Sequence, residues 1–185
     1  SYLACRKIIN VDFLTYSSPS SYANNLLKTY NIPSNNYVIL HASSPRSFGT
    51  LRPIVYENIS EYIDNIQSII NVISKLHNVT LIVKFRSLPN FTLNDLLCSL
   101  EICDSVEIVN EGLFNDYLSI SNCLISYSST TLEEAHKFQI PVISHDIKGS
   151  YCHFPIRGNH DNIHNDCYCS NSENDLTKIL STLMN

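Results

Sequence analysis

The sequence has no excess of positive charge, no paired cysteine rhythm, no leader-like segment and no long apolar run. Its 12 Lys and Arg are outnumbered by 17 Asp and Glu, a net charge of −5 over 185 residues. That balance excludes a global electrostatic grip on nucleic acid or on an anionic membrane. A phosphate-bearing ligand would have to be held locally, by helix amides and a few placed cations. The seven cysteines are odd in number and scattered, which argues for free thiols in a reducing compartment. No segment combines a charged start, an apolar run and a small-residue cleavage site. No apolar run approaches the roughly 18 residues of a membrane span. Asn-x-Ser/Thr triplets begin at Asn58, Asn78 and Asn90, as chance alone produces in a chain this rich in Asn and Ser. No internal repeat is present. These absences predict a soluble, cytoplasmic protein.

What is there is an ordinary globular composition, 44% hydrophobic and 16% charged, in a length suited to one domain. Short apolar, β-branched runs alternate with helical patterns. The runs at 37–41, 79–85, 105–110, 123–126 and 141–144 read as strands. Between the first two, Ile59, Ile63, Ile66, Ile70 and Ile73 recur at spacings of three and four, so 52–77 reads as a long helix. Thr92 caps a helix to about residue 103, with Leu93, Leu96, Leu97 and Leu100 on its inner face. Shorter helices follow at 113–120 and 132–138, and Ser172 caps a final one over 173–184. The stretch between the fifth strand and residue 171 reads as polar loop. Strands separated by helices cannot form tight hairpins. They imply crossovers, a parallel sheet with helices on both faces, and hence an α/β, doubly wound, Rossmann-like fold. Residues 1–36 read as an N-terminal linking segment, with an edge strand at 8–14 and a helix at 21–30; residues 37–185 read as the domain.

In an open parallel sheet, ligands collect at the carboxyl ends of the strands. The fourth strand delivers Ser126, Ser128, Ser129, Thr130 and Thr131 to such an end, directly before a helix. A helix N-terminus carries unpaired N–H groups and partial positive charge, which attract phosphate. Hydroxyls there add donors without bulk. Ser and Thr are also the preferred helix caps, so the run by itself serves either purpose.

The run Leu124-Ile-Ser-Tyr-Ser-Ser-Thr-Thr-Leu-Glu-Glu-Ala135, followed by Pro141-Val-Ile143, resembles the C-terminal, donor-binding half of GT-B glycosyltransferases. The likeness is closest to bacterial capsule, lipopolysaccharide and teichoic-acid transferases and covers roughly residues 37–146. The resemblance implies that Ser128, Ser129, Thr130 and Thr131 contact the donor phosphates. It implies that Glu133 or, one turn into the helix, Glu134 contacts ribose or sugar hydroxyls. A helix-end acid is equally explained by the helix dipole. Arg86 after the second strand and Arg46 after the first would supply cations, with Lys84 buried or paired elsewhere. His41 stands at the same edge. Glu111 and Gly112, after the third strand, stand where related domains read the base. Sugar-nucleotide 2-epimerases share this domain and similar turns.

Two positions depart from the family pattern. Gln139-Ile140 precedes Pro141 where glycine is common, and Lys84-Phe-Arg-Ser87 stands where capsule and sialic-acid relatives carry His-Pro, which weakens any transfer of CMP-sugar specificity.

After the fifth strand come His145, Asp146, Cys152, His153, His160, Asp161, His164, Asp166, Cys167 and Cys169. These residue types suit zinc, but the spacing Cys167-x-Cys169 and the glycine-containing stretch around His160 argue against a metal site. A polar loop is the default. By position, His145, Asp146 or His153 would meet the donor or acceptor.

The resemblance implies a nucleotide sugar as substrate, with no cofactor and no metal, a glycan or lipid-linked acceptor, and peripheral association with the inner membrane. A complete GT-B enzyme has two such halves, and this length accommodates one. The expectation is a half that lacks its N-terminal partner and is inactive alone. A 2-epimerase-like domain and a non-catalytic nucleotide- or partner-binding module are the alternatives.

Overall fold

A computed structural model describes residues 21–45, 57–153 and 167–184. The strands form where the apolar, β-branched runs lie. β1 (Tyr37–Ser43) and β2 (Val79–Phe85) are the long central pair; β3 (Val106–Val109), β4 (Cys123–Ser126), β5 (Val142–His145) and β6 (Cys167–Ser170) are shorter. The order across the sheet is β3-β2-β1-β4-β5-β6 and every pairing is parallel. Chain direction across the sheet therefore reverses between β1 and β4, which is where a doubly wound sheet opens a crevice.

The alternation of side chains along β1 builds two cores. Ile39 faces one side with Ile66, Ile69 and Ile73 of α2 (Ile59–Ile73) and with Leu176 and Leu180 of α6 (Glu173–Leu183). Val38 and Leu40 face the other, with Leu26 of α1 (Ser21–Thr29), Tyr117 and Leu118 of α4 (Phe114–Ser119), and Leu132 and Ala135 of α5 (Thr130–Lys137). Leu26 and Ile32 are buried in this second cluster, so residues ahead of β1 contribute to the same core. The expected strand at 8–14 lies outside the described residues.

Several boundaries differ from expectation for local reasons. The long helix is α2, which begins at a capping box: Asn58 accepts from the Glu61 amide while Glu61 accepts from the Asn58 amide, both at 2.9 Å. α3 (Leu93–Ser99) is shorter than its leucine pattern suggests; only Leu96 is fully buried, and Leu97 faces solvent. α5 starts two residues early, because Ser129 is its cap. β6 falls in the stretch read as polar loop: Cys167 and Tyr168 are buried there by pairing with β5.

α5 ends in a left-handed turn. Gln139 takes φ of 61° and the Ile140 amide donates to the Ala135 carbonyl at 3.0 Å, a helix stop that glycine ordinarily serves. The turn where the family pattern has glycine is thus kept by a residue that pays for the conformation.

Cys152 and Cys169 form a disulfide. This corrects the expectation of free thiols throughout; Cys98, Cys103, Cys123 and Cys167 are not disulfide-bonded. Among the described residues no helix is long and apolar enough to cross a membrane.

Candidate functional site

A cleft of about 660 Å³ opens at the carboxyl ends of β1, β2, β3 and β4. Its walls come from Ser43 and Ser44 at the end of β1, Lys84 and Arg86 at the end of β2, Asn110 and Gly112 after β3, and Ser129, Thr130 and Thr131 at the start of α5. Four separate loops thus converge at the β1/β4 crevice.

The hydroxyl-rich turn divides its side chains between internal and outward roles. The Ser129 hydroxyl accepts from the Thr131 amide at 3.2 Å, and the Thr131 hydroxyl donates to the Ala42 carbonyl at 3.0 Å. Ser126 also donates to that carbonyl, at 3.3 Å. The end of β1 and the start of α5 are thereby tied across the crevice. Thr130 is exposed on the cleft wall. Ser128 is 1% exposed and faces away from the cleft, toward Tyr151 and His153. Glu134 is half-buried and does not line the cleft; it follows Thr130 by four residues and so sits one turn down the same helix face. Glu133 instead pairs with His153 at 3.3 Å.

Lys84 is the cation that strand position understated. Its ammonium donates to the Asn110 carbonyl at 2.9 Å and lies 5.8 Å from the centre of the Tyr117 ring. Partial burial lowers its pKa, opposed by the charge of Glu111. Arg86 is exposed on the same wall. Arg46 lies outside the described residues.

The loop after β3 is held from beneath. The Tyr117 hydroxyl donates to the Glu111 carbonyl at 2.9 Å, and Gly112 has φ of +82° with a would-be Cβ 2.9 Å from the Tyr117 ring. Both the conformation and the space require glycine. The Glu111 side chain is exposed and outside the cleft wall, whereas Leu113 and Phe114, not singled out from sequence, line it.

His145 and Asp146, expected by position to meet the donor or acceptor, are buried and hydrogen-bonded within the protein. His145 is 1% exposed, with its ring nitrogens 2.9 Å from the Ser68 hydroxyl and 2.8 Å from that of Ser170. Burial lowers its pKa to about 4, against the opposing charges of Asp146 and Glu173. The Asp146 carboxylate accepts from the Lys148, Ser150 and Tyr151 amides and the Ser150 hydroxyl, so it organises its own loop. His41 is also buried, beneath the cleft; desolvation and then the charge of His145 lower its pKa to about 3. Neither imidazole is charged near neutrality. Among the described residues, no three His, Cys, Asp or Glu side chains come together to hold a metal; His160, Asp161, His164 and Asp166 lie outside them.

No family model and no curated protein matches the chain. Solved structures do. The wall teichoic acid polymerase TagF superposes with a TM-score of 0.56 at 16% identity, over 89% of this chain and 39% of that one. A glycosyltransferase from Rickettsia africae ESF-5 gives 0.54 at 17% identity, over 92% and 42%. The fold is that of a single GT-B half. A UDP-GlcNAc 2-epimerase from Neisseria meningitidis, solved with UDP-GlcNAc bound, gives 0.50 at 15% identity, over 87% and 39%. The chain therefore spans about two fifths of the length of each of these proteins. In this fold the cleft lies at the strand ends, on the sheet edge where the loops gather.

Proposed function

We propose that the cleft binds the diphosphate of a nucleotide-activated sugar, and that the chain is the donor half of a cytoplasmic glycosyltransferase of surface-polysaccharide synthesis. The observation that carries this reading is the N-terminus of α5, which opens into the β1/β4 crevice on a wall shared with Lys84 and Arg86. The helix end offers partial positive charge and amide donors, and the two cations add full charges. Displacement at the anomeric carbon leaves negative charge on the departing phosphate. Fixed donors at that point favour the transition state over the ground state. The Asn110 and Gly112 backbone would read the base, Thr130 and Ser129 would meet the phosphates, and Glu134 would stand toward ribose or sugar. The acceptor, glycan or lipid-linked and met at the inner membrane, and the second GT-B half would complete the active centre. No cofactor or metal enters this scheme.

A sugar-nucleotide 2-epimerase half is the second reading, favoured by the epimerase that shares the fold. Calorimetric titration of the chain with UDP, CDP and CMP, and with their sugar- or glycerol-linked forms, tests the site. Micromolar to millimolar binding is expected, reduced at least tenfold by Ser129→Ala with Thr130→Ala or by Lys84→Met. Absence of binding by every nucleotide would leave only a partner-binding module. UDP-GlcNAc as the sole ligand would favour the epimerase reading.

A further inference from the structure

The Ser128 hydroxyl is buried and turned away from the cleft, so its partners lie on the far side of the turn. Both belong to one short segment after β5: the Tyr151 hydroxyl at 3.5 Å and His153 Nδ1 at 3.4 Å. The His153 side chain is only 5% exposed, and its Nε2 lies 3.3 Å from Glu133 in the first turn of α5. A proton on Nε2 serves the carboxylate and leaves Nδ1 as acceptor for a serine or tyrosine hydroxyl. One imidazole thus spans the turn and the helix it opens.

The segment is registered at every residue. Asp146 receives the Ser150 and Tyr151 amides at 2.8 and 2.9 Å. The Tyr151 ring packs on Tyr127, with centroids 5.4 Å apart. The His153 amide donates to the Ser144 hydroxyl at 3.0 Å, and that hydroxyl donates to the Tyr127 carbonyl at 3.1 Å. Between the two residues that reach Ser128 stands Cys152, joined covalently to Cys169 on β6. Contacts of 3.4–3.5 Å are long for hydrogen bonds and offset little of the entropy of ordering a loop by themselves. A covalent tie at the middle residue removes much of that entropy in advance.

We propose that Tyr151 and His153 are positioning residues for the 128–131 turn, and that the Cys152–Cys169 bond holds them in place, so that the thiol–disulfide state sets the order of the donor site. The second half of this statement rests on the function proposed above; the first does not.

The test uses the full chain. Dithiothreitol supplies two electrons and two protons: one of its sulfurs displaces a cysteine sulfur, the second closes the reagent's ring, and both cysteines leave as thiols. Amide hydrogen exchange over residues 128–132 is compared in the oxidised and reduced chain, with β2 amides as the internal reference. Loss of the tie or of His153 speeds exchange there about tenfold while β2 is unchanged. His153→Ala does this even when oxidised, whereas His153→Asn, whose amide oxygen takes the place of Nδ1, restores most of the protection. UDP or CDP affinity falls about tenfold in the same states, equivalent to the loss of about two modest hydrogen bonds. Unchanged exchange in both the reduced chain and His153→Ala overturns the proposal. If Cys169→Ser fails to fold, chemical reduction and His153→Ala carry the test. If neither nucleotide binds the oxidised wild type, the donor-site reading fails, while the exchange comparison still decides the positioning role.

Discussion

Acid destabilises this fold through two buried imidazoles, and the size of the effect follows from the structure. His41 and His145 are 2% and 1% exposed, and their pKa values fall from 6.5 to about 3 and about 4. The groups facing His145 are Ser68, Ser170, Asp146, Glu173 and His41; the two carboxylates soften the burial effect without reversing it. Because the folded pKa lies below the unfolded one, the unfolded chain binds more protons between the two values. Stability is therefore present near neutrality and is lost as pH falls from about 6.5 toward about 4. Each group contributes a slope of up to about 1.4 kcal/mol per pH unit, and integration to about pH 4.5 gives a loss of about 2–3 kcal/mol for each histidine. The sum, about 5 kcal/mol, compares with a total stability of about 5–15 kcal/mol for a typical domain. Urea unfolding at pH steps from 7 to 4.5, extrapolated linearly to water, measures it. His145→Gln lowers stability overall by disturbing its serine partners, but the decisive reading is the slope, which should fall to about half of wild type. A pH-independent midpoint between pH 6.5 and 5, or an unaltered slope in His145→Gln, would refute the account.

Two further outcomes rest on left-handed backbone. Gly112→Ala places a methyl 2.9 Å from the Tyr117 ring at φ of +82°, so stability should drop by about 1–3 kcal/mol and nucleotide binding should weaken with it; a neutral variant would show that the loop is free to relax. Gln139→Gly relieves a side chain from φ of 61° and should raise the thermal midpoint, by about 1 kcal/mol in free energy, without changing ligand affinity.

The wide architecture was legible because it depends on periodicity. Runs such as the one in β1, apolar on both faces, have no stable place except a sheet covered on both sides, and the isoleucine stripe of α2 supplies one cover. The turn before α5 was legible for the same local reason, since a strand, a cap and a helix are near neighbours in sequence. The shortfalls are non-local. β6 carries only four residues, Cys-Tyr-Cys-Ser, whose strand state comes from pairing with β5 rather than from its own pattern. Position after a strand does not say which way a side chain points, and the burial of His145 and Asp146 came only with the tertiary structure.

By itself, then, the sequence determined a parallel α/β sheet, a hydroxyl-capped helix at a strand end, and a net charge of −5. Those properties are set by composition and by contacts within a few residues. The tertiary structure alone decided that Lys84 joins the cleft wall, that Ser128 turns away from it, and that Cys152 meets Cys169 across 17 residues. Each of these depends on which loops the strand order brings to one edge of the sheet, and strand order is a balance of packing over the whole chain that no local pattern encodes.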